Sequence, residues 1–547
     1  MRVSEAVGKA LVSAGVDQIF GVVGSGNFRI TNAMVSEGAR FVASRHEMGA
    51  AMMADAFTRM TGRTAALSVH QGPGFTNALT GITEAAKSHT PLLVLAPDTP
   101  DILKNSNFWI DQMAVAAGVG CVVEQLRSPV TAVHDALQAL ATARRQRCTV
   151  VLLLPTDLQD TEYQGAFLPA SQPEDDRARV ASPEAVDRLV QLLVASERPV
   201  FIAGRGALDA REELLALAAA TGALVATSAV ARGLFAGAEW NLDVSGGFST
   251  PLTASLIADA DLLVGWGASL NQWTTRSGTF LAGQKTVVQV DDRPEALGLH
   301  YPVDVPIVGD IAETARLVQT AWDAAGRPGP RYRTPEIAQR IETAGDWRLV
   351  DYDDTASEGR IDPRTLTIAL DEILPMDRVV VPDGGNFNGY PAMFFRIPDK
   401  QGYCVPLAFQ SIGLALASAV GVATARPDRI TIAGVGDGGF MMSLTELDTA
   451  VRLALPLVVV VYNDSAYGAE VHHFEHDGAP LDIVQFPETD IAAIARGFGC
   501  DALTVTDRSD IAQVRDWLDG PRTRPLVIDA KITKFASWML LHSFEGE

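Results

Sequence analysis

Two aspartates at the ends of neighbouring apolar runs are the residues most clearly able to take part in chemistry. Asp437 sits in GVGDGGF, just after the run RITIAGV (429–435), and Asp464 ends the run LPLVVVVYND (455–464), with a helical pattern (441–455) between them. A right-handed strand–helix–strand crossover brings the carboxyl ends of both strands to one edge of a parallel sheet. Two carboxylates meeting there suit a hard cation, so we predict a Mg²⁺ site.

Glycines surround Asp437 and indicate that a phosphate group binds beside the cation. Gly436, Gly438 and Gly439 let the backbone approach closely, so that N–H groups at a helix N-terminus can hold phosphate oxygens. The alternatives are a structural turn and a dinucleotide site, because Gly434, Gly436 and Gly439 also satisfy the weak pattern GxGxxG. Asp437 would repel a bare pyrophosphate, whereas a cation between them removes the conflict.

A second carboxylate of interest, Glu47, lies in the segment RHEMGAAMMADAFTRMTG (45–62). The small residues after it, Gly49, Ala50 and Ala51, allow another helix to pack closely. Taken alone, Glu47 is a carboxylate in the first turn of a helix, where the helix dipole favours negative charge. A role in catalysis therefore needs support from elsewhere in the chain.

A histidine and a serine are candidates for contact with a substrate. His70 ends the run TAALSVH (64–70), immediately before the turn Gly72-Pro73-Gly74. Ligands bind at the carboxyl ends of parallel strands, so His70 is either catalytic or a structural histidine. Ser25, in FGVVGSGN, is either a substrate-binding hydroxyl or a turn residue.

The elements that must position these residues alternate between short apolar runs and helical patterns, which predicts βαβ units. The fold class is α/β, with three doubly wound parallel-sheet domains. Polar stretches at 172–185 and about 327–362 divide an N-terminal domain (1–170), a central domain (183–330) and a C-terminal domain (360–547). The strand-like runs lie at 17–23, 64–70, 91–97, 149–155, 198–204, 261–267, 285–291, 378–385, 429–439, 455–464 and 524–530.

Composition excludes several classes of function. The chain has 547 residues and a net charge of -22, which repels nucleic acid and anionic membranes. No apolar run approaches the length of about 18 residues that a membrane span needs, and the N-terminus reads as an amphipathic helix. The 4 cysteines form no CxxC pair, so we expect neither a zinc site nor a disulfide framework, and a cytoplasmic setting.

Together these motifs resemble the thiamine-diphosphate-dependent enzymes. GDG (436–438), followed by 24 residues and Asn463-Asp464, is similar to that family's metal and diphosphate signature. RHExGAAxMA around Glu47 is similar to its activating-glutamate segment, and GPGFTNALTGITEAAKSHTPLLVLA (72–96) adds to the likeness. The resemblance covers all three domains and is closest to the acetolactate synthase and benzoylformate decarboxylase group, with pyruvate decarboxylase among the relatives.

This resemblance implies thiamine diphosphate and Mg²⁺ as cofactors. The family's metal ligands correspond to Asp437, Asp464 and the backbone carbonyl of Ala466. Asp464 stands where the family usually has Asn, which keeps an oxygen ligand but adds a negative charge. The residues that the resemblance assigns to the organic cofactor are Glu47, Gly385, Asn386, Ile412, Gly436, Gly438, Gly439, Asn463 and Gly468.

The resemblance also gives Glu47 and Ile412 distinct roles. A carboxyl hydrogen-bonded to the aminopyrimidine ring favours the reactive tautomer, and Ile412 props the cofactor in a bent conformation. Without the family, Ile412 is a core residue, and Gly385-Asn386 is an ordinary turn. The family architecture implies that Glu47 acts on cofactor held by a partner subunit, so we expect an obligate homodimer that pairs into a homotetramer.

Other residues would select the reaction. His70 resembles the active-site histidine of benzoylformate decarboxylase, and Ser25 resembles its carboxylate-binding serine, although Val23 replaces the proline of that loop. Glu470 lies six residues after the second aspartate, as a catalytic glutamate does in pyruvate decarboxylase. The adjacent His472-His473 pair either relays protons or belongs to a solvated loop.

Two departures count against a plain acetolactate synthase. Its Phe-Gln-Glu stretch reads Phe108-Trp109-Ile110 here, so its active-site glutamine is missing or shifted to Gln112, our candidate substrate residue. Its flavin-contacting stretch is replaced by Asn271-Gln272-Trp273-Thr274, so we expect no FAD. Asp291-Asp292 either holds a ribose or ends a strand.

The sequence therefore predicts a 2-oxo acid decarboxylase or carboligase. Its substrates would be a small 2-oxo acid and, for ligation, a second carbonyl compound. The alternatives are acetolactate-synthase-type transfer of an acetaldehyde unit and a non-catalytic cofactor-binding protein. The presence of Glu47 counts against the last of these.

Overall fold

The computed structural model describes residues 1–166, 179–325 and 331–543. In these ranges three parallel β-sheets follow one another along the chain, and helices cover both faces of each sheet, which confirms the predicted fold class. Every helix in the described ranges is too short or too polar to serve as a membrane span.

The N-terminal sheet has the strand order β2-β1-β3-β4-β6-β5. Its strands are β1 (Gln18–Gly21), β2 (Arg40–Ala43), β3 (Ala66–Ser68), β4 (Leu93–Asp98), β5 (Val122–Gln125) and β6 (Val150–Pro155). Its helices are α1 (Val3–Ser13), α2 (Phe28–Ser36), α3 (Glu47–Thr61), α4 (Pro73–Lys87), α5 (Gln112–Gly118), α6 (Ala132–Gln146) and α7 (Thr156–Gln159). Ile19 and Phe20 of β1 enter different apolar clusters, because successive side chains point to opposite faces.

The central sheet has the order β12-β11-β10-β7-β8-β9. Its strands are β7 (Pro199–Ala203), β8 (Leu224–Thr227), β9 (Asn241–Val244), β10 (Leu262–Trp266), β11 (Thr286–Asp291) and β12 (Val305–Val308). The associated helices are α8 (Pro183–Ala195), α9 (Arg211–Thr221), α10 (Pro251–Ala258), α11 (Ile311–Ala324) and α12 (Pro335–Ala344). Helix α8 begins at Pro183, inside the polar stretch 172–185, because the Ser182 side chain accepts the Ala185 N–H and Pro183 suits the first turn of a helix.

The C-terminal sheet has the order β13-β14-β15-β17-β16. Its strands are β13 (Arg378–Pro382), β14 (Ile430–Gly436), β15 (Leu457–Asn463), β16 (Asp501–Val505) and β17 (Leu526–Lys531). The helices are α13 (Pro363–Ile373), α14 (Gly389–Phe394), α15 (Ala415–Ala425), α16 (Asp437–Ser443), α17 (Glu446–Arg452), α18 (Gly468–Phe474), α19 (Ile491–Gly497), α20 (Val514–Asp519) and α21 (Trp538–Ser543). The helical pattern at 441–455 thus forms part of two short helices, α16 and α17, instead of one.

Helices α3 and α15 join the two outer domains. They form the largest helix–helix contact among the described residues, and both contribute to one apolar core. A Cβ on Gly421 would lie 2.4 Å from the carbonyl oxygen of Met53, so the two backbones touch at this point. The helix that begins at Glu47 is therefore fixed against the C-terminal domain of its own chain.

The sequence locates eleven of the strands but not β2, β5, β8, β9, β12 and β16. Five of these six are edge strands, where half-exposed residues weaken the apolar pattern that predicts a strand. The first predicted linker (172–185) lies partly outside the described residues. The second (about 327–362) contains helix α12 and Trp347, a buried residue whose Nε1 donates to the Phe248 carbonyl. The domain boundaries themselves stay predictions.

Candidate active site

Asp437 and Asp464 leave the C-terminal sheet side by side. Gly436 of β14 is in register with Tyr462 of the parallel strand β15, so the aspartates emerge at the same edge. Burial and the charge of Asp464 raise the pKa of Asp437 to about 7, and burial also raises the pKa of Asp464. The two carboxyls are thus close enough for the charge of Asp464 to favour the protonated form of Asp437.

The donor set at this edge fits a hard cation. Oδ1 of Asp437 is buried and has no hydrogen-bond partner among the described residues, a cost that ligation of a cation removes. The described ranges contain no group of three or more His, Cys, Asp or Glu side chains that could hold a metal. A cation would therefore need backbone or ligand oxygens, such as the predicted Ala466 carbonyl, besides the two carboxylates.

The neighbouring side chains of Asn463 and Asp464 make different contacts. Nδ2 of Asn463 donates to Asp529 Oδ1 at 2.8 Å, so this side chain braces β15 against β17. Asp464 instead accepts the Ala466 N–H at 3.2 Å, and its Oδ2 would lie 2.5 Å from a Cβ on Gly468. Gly468 is thus needed for the close approach of α18 to the predicted metal ligand.

The glycines around Asp437 are required by the protein's own packing. A Cβ on Gly436 would meet the Phe387 ring at 2.9 Å, and one on Gly438 would meet Tyr467 at 2.5 Å. A Cβ on Gly439 would lie 2.6 Å from a carboxylate oxygen of Asp383. These contacts explain the glycines without a ligand, so their role in holding a diphosphate stays a prediction.

Asp383, which the sequence analysis does not single out, organises the turn that carries Ile412. Its carboxylate is fully buried and accepts the N–H groups of Gly413 at 2.7 Å and Leu414 at 3.2 Å. Cγ2 of Ile412 would lie 3.3 Å from a Cβ on Gly384, next to Asp383 in the chain. The signal that could have revealed it is an aspartate directly after a buried strand, like Asp437.

Gly385 and Asn386 connect the site to the end of the chain. Gly385 adopts a φ of 120°, a conformation that other residues avoid. Asn386 is buried; its Nδ2 donates to the Phe535 carbonyl at 2.8 Å and its Oδ1 accepts the Ser537 N–H at 2.7 Å. The side chain therefore anchors the C-terminal segment, and its Cβ lies close to Gly468.

Glu47 and His70 meet at one turn of the N-terminal domain. A Cβ on Gly74 would lie 3.0 Å from Cβ of His70 and 3.3 Å from Oε1 of Glu47. The other carboxylate oxygen, Oε2, accepts a hydrogen bond from Nδ2 of Asn77 at 3.1 Å. Asn77, another residue that the sequence analysis does not identify, thus orients the carboxyl from the first turns of α4.

Ser25 and His70 form a hydrogen-bonded pair above this turn. Oγ of Ser25 lies 3.3 Å from Nε2 of His70, and the imidazole packs edge-on against Phe108, with ring centroids 4.9 Å apart. Oε1 of the neighbouring Gln71 is buried, lies against Gly26 and lacks a partner among the described residues. This places a hydroxyl, an imidazole and a carbonyl oxygen around one small space.

Gln112 lies beneath this loop, and its amide is already used. It is 2% exposed; its Oε1 accepts the Gly72 N–H at 2.8 Å and its Nε2 donates to the Pro97 carbonyl at 2.7 Å. These bonds favour support of the Gly72 turn over direct contact with a substrate. The substrate role of Gln112 stays a prediction.

Glu470, His472 and His473 lie on helix α18 beside Asp464. The helix separates the two histidines by about 100° around its axis. The side chain of His472 is 8% exposed, and its Nδ1 lies 3.4 Å from Oε1 of Glu475. Glu470 and His473 are exposed. Of the three, His472 is therefore the one with a buried side chain.

A separate cleft of about 560 Å³ lies between the three sheets. Loops after β7, β10 and β11 line it, and Arg205 and Arg293 are among its cationic residues. Asp292, the second of the two candidate ribose ligands, forms an ion pair with Arg147, and its carbonyl accepts from Arg179 at 2.8 Å. The predicted absence of FAD from this cleft stays a prediction.

Comparison with known proteins matches one family along most of the chain. Models of the thiamine pyrophosphate (TPP) enzymes match in three places: the N-terminal TPP binding domain over residues 1–117, the central domain over 186–318 and the C-terminal TPP binding domain over 383–530.

Relatives that are named for different activities match over most of their lengths. A sulfoacetaldehyde acetyltransferase of Rhodobacter capsulatus is 29% identical over 504 residues, covering 86% of this chain and 83% of the relative. A probable 2-ketoarginine decarboxylase of Pseudomonas aeruginosa is 28% identical over 520 residues (91% and 89%). A probable acetolactate synthase large subunit of Methanocaldococcus jannaschii is 26% identical over 485 residues (86% and 81%). With all three domain models matched in order, the chain belongs to the family of thiamine-pyrophosphate-dependent enzymes.

Proposed function

We propose that this thiamine-diphosphate-dependent enzyme is a 2-oxo acid decarboxylase or carboligase that uses Mg²⁺. The observation that carries the proposal is the meeting of Glu47, His70 and Ser25 around the Gly74 turn. This group combines a carboxyl, a proton-relaying imidazole and a hydroxyl, which are the groups that cofactor activation, proton transfer and carboxylate binding need.

The residues of the C-terminal domain suit the cofactor's charged end. Asp437, Asp464 and the Ala466 carbonyl would hold Mg²⁺, and the backbone around Gly438 would hold the diphosphate. Ile412 would support the bent conformation from the opposite side. When bound, thiamine diphosphate supplies an electron sink next to the carbonyl carbon of the substrate.

Each polar residue of the N-terminal group would then have one task. Glu47 would hydrogen-bond the aminopyrimidine nitrogen, with Asn77 fixing its second oxygen. Ser25 would bind the substrate carboxylate, and Nε2 of His70 would donate or accept the proton at the reacting carbon. His472, beside Asp464, is the second candidate for proton transfer, with Glu470 and His473 as further candidates on α18.

We also propose that the active unit is a homodimer or a pair of such dimers. The N-terminal and C-terminal groups belong to different domains, and large apolar side chains are exposed beside each. Phe108, which packs on His70, is 44% exposed, and Met442, which lies against Gly413, is 50% exposed. A second copy that covers these residues would remove their contact with water.

The experiment is a substrate panel with added thiamine diphosphate and Mg²⁺. Pyruvate, phenylglyoxylate and longer 2-oxo acids are each supplied alone and with an aldehyde or a second 2-oxo acid. Release of CO₂ is measured, and the products are separated into aldehydes and ligated compounds. Release of CO₂ with an aldehyde or hydroxyketone product supports the proposal, and the absence of CO₂ release across the panel contradicts it.

Transfer of a two-carbon unit from pyruvate is the second candidate. It is supported by relatives named acetolactate synthase and sulfoacetaldehyde acetyltransferase. In the same panel it predicts that pyruvate is consumed faster when a second acceptor is present. Acetolactate, in place of acetaldehyde, would identify it.

A further inference from the structure

A buried glutamate of the C-terminal domain holds the segment that leads to Glu47. Glu446, at the start of α17, is 1% exposed. Its Oε1 accepts the backbone N–H groups of Arg45 at 3.1 Å and His46 at 3.0 Å, while Oε2 accepts the Thr449 hydroxyl at 2.7 Å. Oε1 would also lie 2.4 Å from a Cβ on Gly49, so the carboxylate sits directly against the start of α3.

A buried glutamate of the N-terminal domain makes the converse contact. Glu84, near the end of α4, is 0% exposed. Its Oε1 accepts the Ala408 N–H at 2.9 Å and the Ser88 hydroxyl at 3.2 Å, and its Oε2 accepts the Phe409 N–H at 2.7 Å. The segment it holds leads to Ile412 and then to α15.

The two contacts occupy corresponding places in the two outer domains, whose helices and strands follow one another in a similar order. In each domain an interface helix leads to a strand, then a glycine-containing turn, then the helix that carries the glutamate: α3, β3 and α4 in one, and α15, β14 and α16–α17 in the other. Glu446 binds backbone immediately before the interface helix α3, and Glu84 binds the backbone of Ala408 and Phe409 in the segment that leads to the interface helix α15, which begins at Ala415. We name these two contacts the carboxylate clamps.

We propose that Glu446 and Glu84 are positioning residues for cofactor activation, acting through the backbone on Glu47 and Ile412 respectively. Glu47 directly follows His46, and Ile412 comes three residues after Phe409. A hydrogen-bonded segment this short transmits a displacement to the next side chain, and a misplacement of about 1 Å can cost about 100-fold in rate. The proposal rests on the proposed roles of Glu47 and Ile412.

The two carboxylate clamps differ in whether a glutamine can keep the bound backbone N–H groups paired. At position 446 Oε1 accepts both backbone N–H groups, and Oε2 adds only a longer contact of 3.4 Å with the Arg45 N–H. Glu446→Gln therefore keeps both N–H groups paired when its oxygen takes the place of Oε1 and its amide nitrogen turns toward the Thr449 hydroxyl. At position 84 each oxygen accepts one backbone N–H. Glu84→Gln therefore leaves one N–H facing an amide nitrogen, whichever way the side chain is turned.

The test measures the rate at which deuterium replaces the thiazolium C2 proton of bound thiamine diphosphate with Mg²⁺, together with cofactor affinity and kcat. We expect Glu446→Ala and Glu84→Gln to slow exchange by about 10- to 100-fold and Glu446→Gln to stay within about threefold of wild type. Cofactor affinity should change much less than exchange.

A matched control exists in the central domain. Asp261 likewise accepts two backbone N–H groups, from Glu197 at 2.8 Å and Arg198 at 3.0 Å, together with the Ser196 hydroxyl. Asp261→Asn tests the loss of such a contact away from the proposed site, and we expect it to lower the thermal midpoint without slowing C2 exchange. If Glu446→Ala does not fold, Glu446→Asp, which is one methylene too short to reach, replaces it.

Wild-type exchange in cofactor-loaded Glu446→Ala or Glu84→Gln overturns the proposal, as does equal slowing by Glu446→Gln and Glu446→Ala. Glu47→Gln separates this failure from failure of the proposed function. If Glu47→Gln exchanges C2 at the wild-type rate, the activation scheme is wrong and the positioning proposal falls with it. If only Glu47→Gln is slow, activation stands and the clamps have no part in it.

Discussion

Oγ of Ser25 lies 3.3 Å from Nε2 of His70, while Nδ1 of the same imidazole lies 2.7 Å from the carbonyl oxygen of Gln71. A carbonyl can only accept, so Nδ1 carries a proton and Nε2 of the neutral ring is the acceptor that faces Ser25. The backbone thereby fixes the tautomer, and the nitrogen that exchanges protons is the one directed toward the proposed substrate site.

Replacing His70 should separate chemistry from binding. We expect His70→Ala to lower kcat by about 10²- to 10⁴-fold, the usual contribution of a general acid–base, and Ser25→Ala to act mainly on KM. Steady-state kinetics with the best 2-oxo acid of the panel measures both. His134→Ala, on the exposed face of α6, is the control. A His70→Ala enzyme with nearly wild-type kcat would remove His70 from the proposed mechanism.

Replacing Glu47 should abolish turnover but not cofactor binding. Glu47→Gln keeps the size of the side chain and its contact with Asn77, but it no longer offers the carboxyl that activates the aminopyrimidine ring. We expect turnover to be nearly lost while calorimetry shows almost unchanged affinity for thiamine diphosphate. Glu5→Gln, in the first turn of α1, is the matched control. Turnover near that of wild type would refute the activation scheme.

Much of the fold follows from local sequence. The buried runs around β14 and β15 predict both strands, and the crossover rule then brings Asp437 and Asp464 to one edge. The edge strands β2, β5 and β16 contain half-exposed or exposed residues, so the apolar run that predicts a buried strand is interrupted in them.

The candidate site could be predicted where a polar residue closely follows a strand, as with His70, Asp437 and Asp464. Asp383 has the same position after β13, but no partner motif in the sequence marks it. Glu446 begins α17 and Glu84 lies near the end of α4, and each accepts backbone N–H groups of another domain. Contacts between a side chain and distant backbone leave no residue-type signature, so only the structure reveals them.

The extra negative charge at position 464 should strengthen metal binding. Asp464→Asn keeps an oxygen ligand but removes one charge, so we expect the Mg²⁺ concentration for half-maximal activity to rise by up to about tenfold, with activity restored at saturation. Asp437→Asn should raise the Mg²⁺ requirement further. The carboxylate that it replaces is the one whose Oδ1 is buried and has no hydrogen-bond partner among the described residues. Metal is first removed from each protein with a chelator, and activity is then measured as Mg²⁺ is added back. Asp477→Asn, an exposed aspartate of the same domain, should match wild type. An unchanged Mg²⁺ requirement in both site variants would exclude this metal site.

The central cleft should carry no flavin. The Asp292 side chain forms an ion pair with Arg147, and Asp291 accepts the N–H of Arg293 at 3.0 Å, so both carboxylates at the candidate ribose position already have partners. We expect the purified protein to release no flavin fluorescence on denaturation and its turnover to be unaffected by added FAD. Stoichiometric release of flavin would contradict this prediction and would identify the central cleft as a flavin-binding site.

Asp383 should make the stability of the C-terminal domain depend on pH. Burial raises the pKa of its carboxyl from 3.8 to about 6, although several backbone N–H groups favour the charged form. The folded protein thus holds this proton more tightly than the unfolded chain does. By linkage, the contribution of Asp383 to the free energy of unfolding is largest below about pH 4 and is lost as the pH rises to about 6.

Asp383→Asn removes this titration. A pKa difference of this size corresponds to about 3 kcal/mol, so the stability of wild type relative to Asp383→Asn should fall by about that amount between pH 4 and pH 7. Urea denaturation of both proteins across this range, followed by fluorescence, gives the two curves. Parallel curves would show that the carboxyl ionises alike in the folded and unfolded states. A difference that grows with rising pH would mean that the N–H groups of Gly413 and Leu414 stabilise the charge more than burial disfavours it.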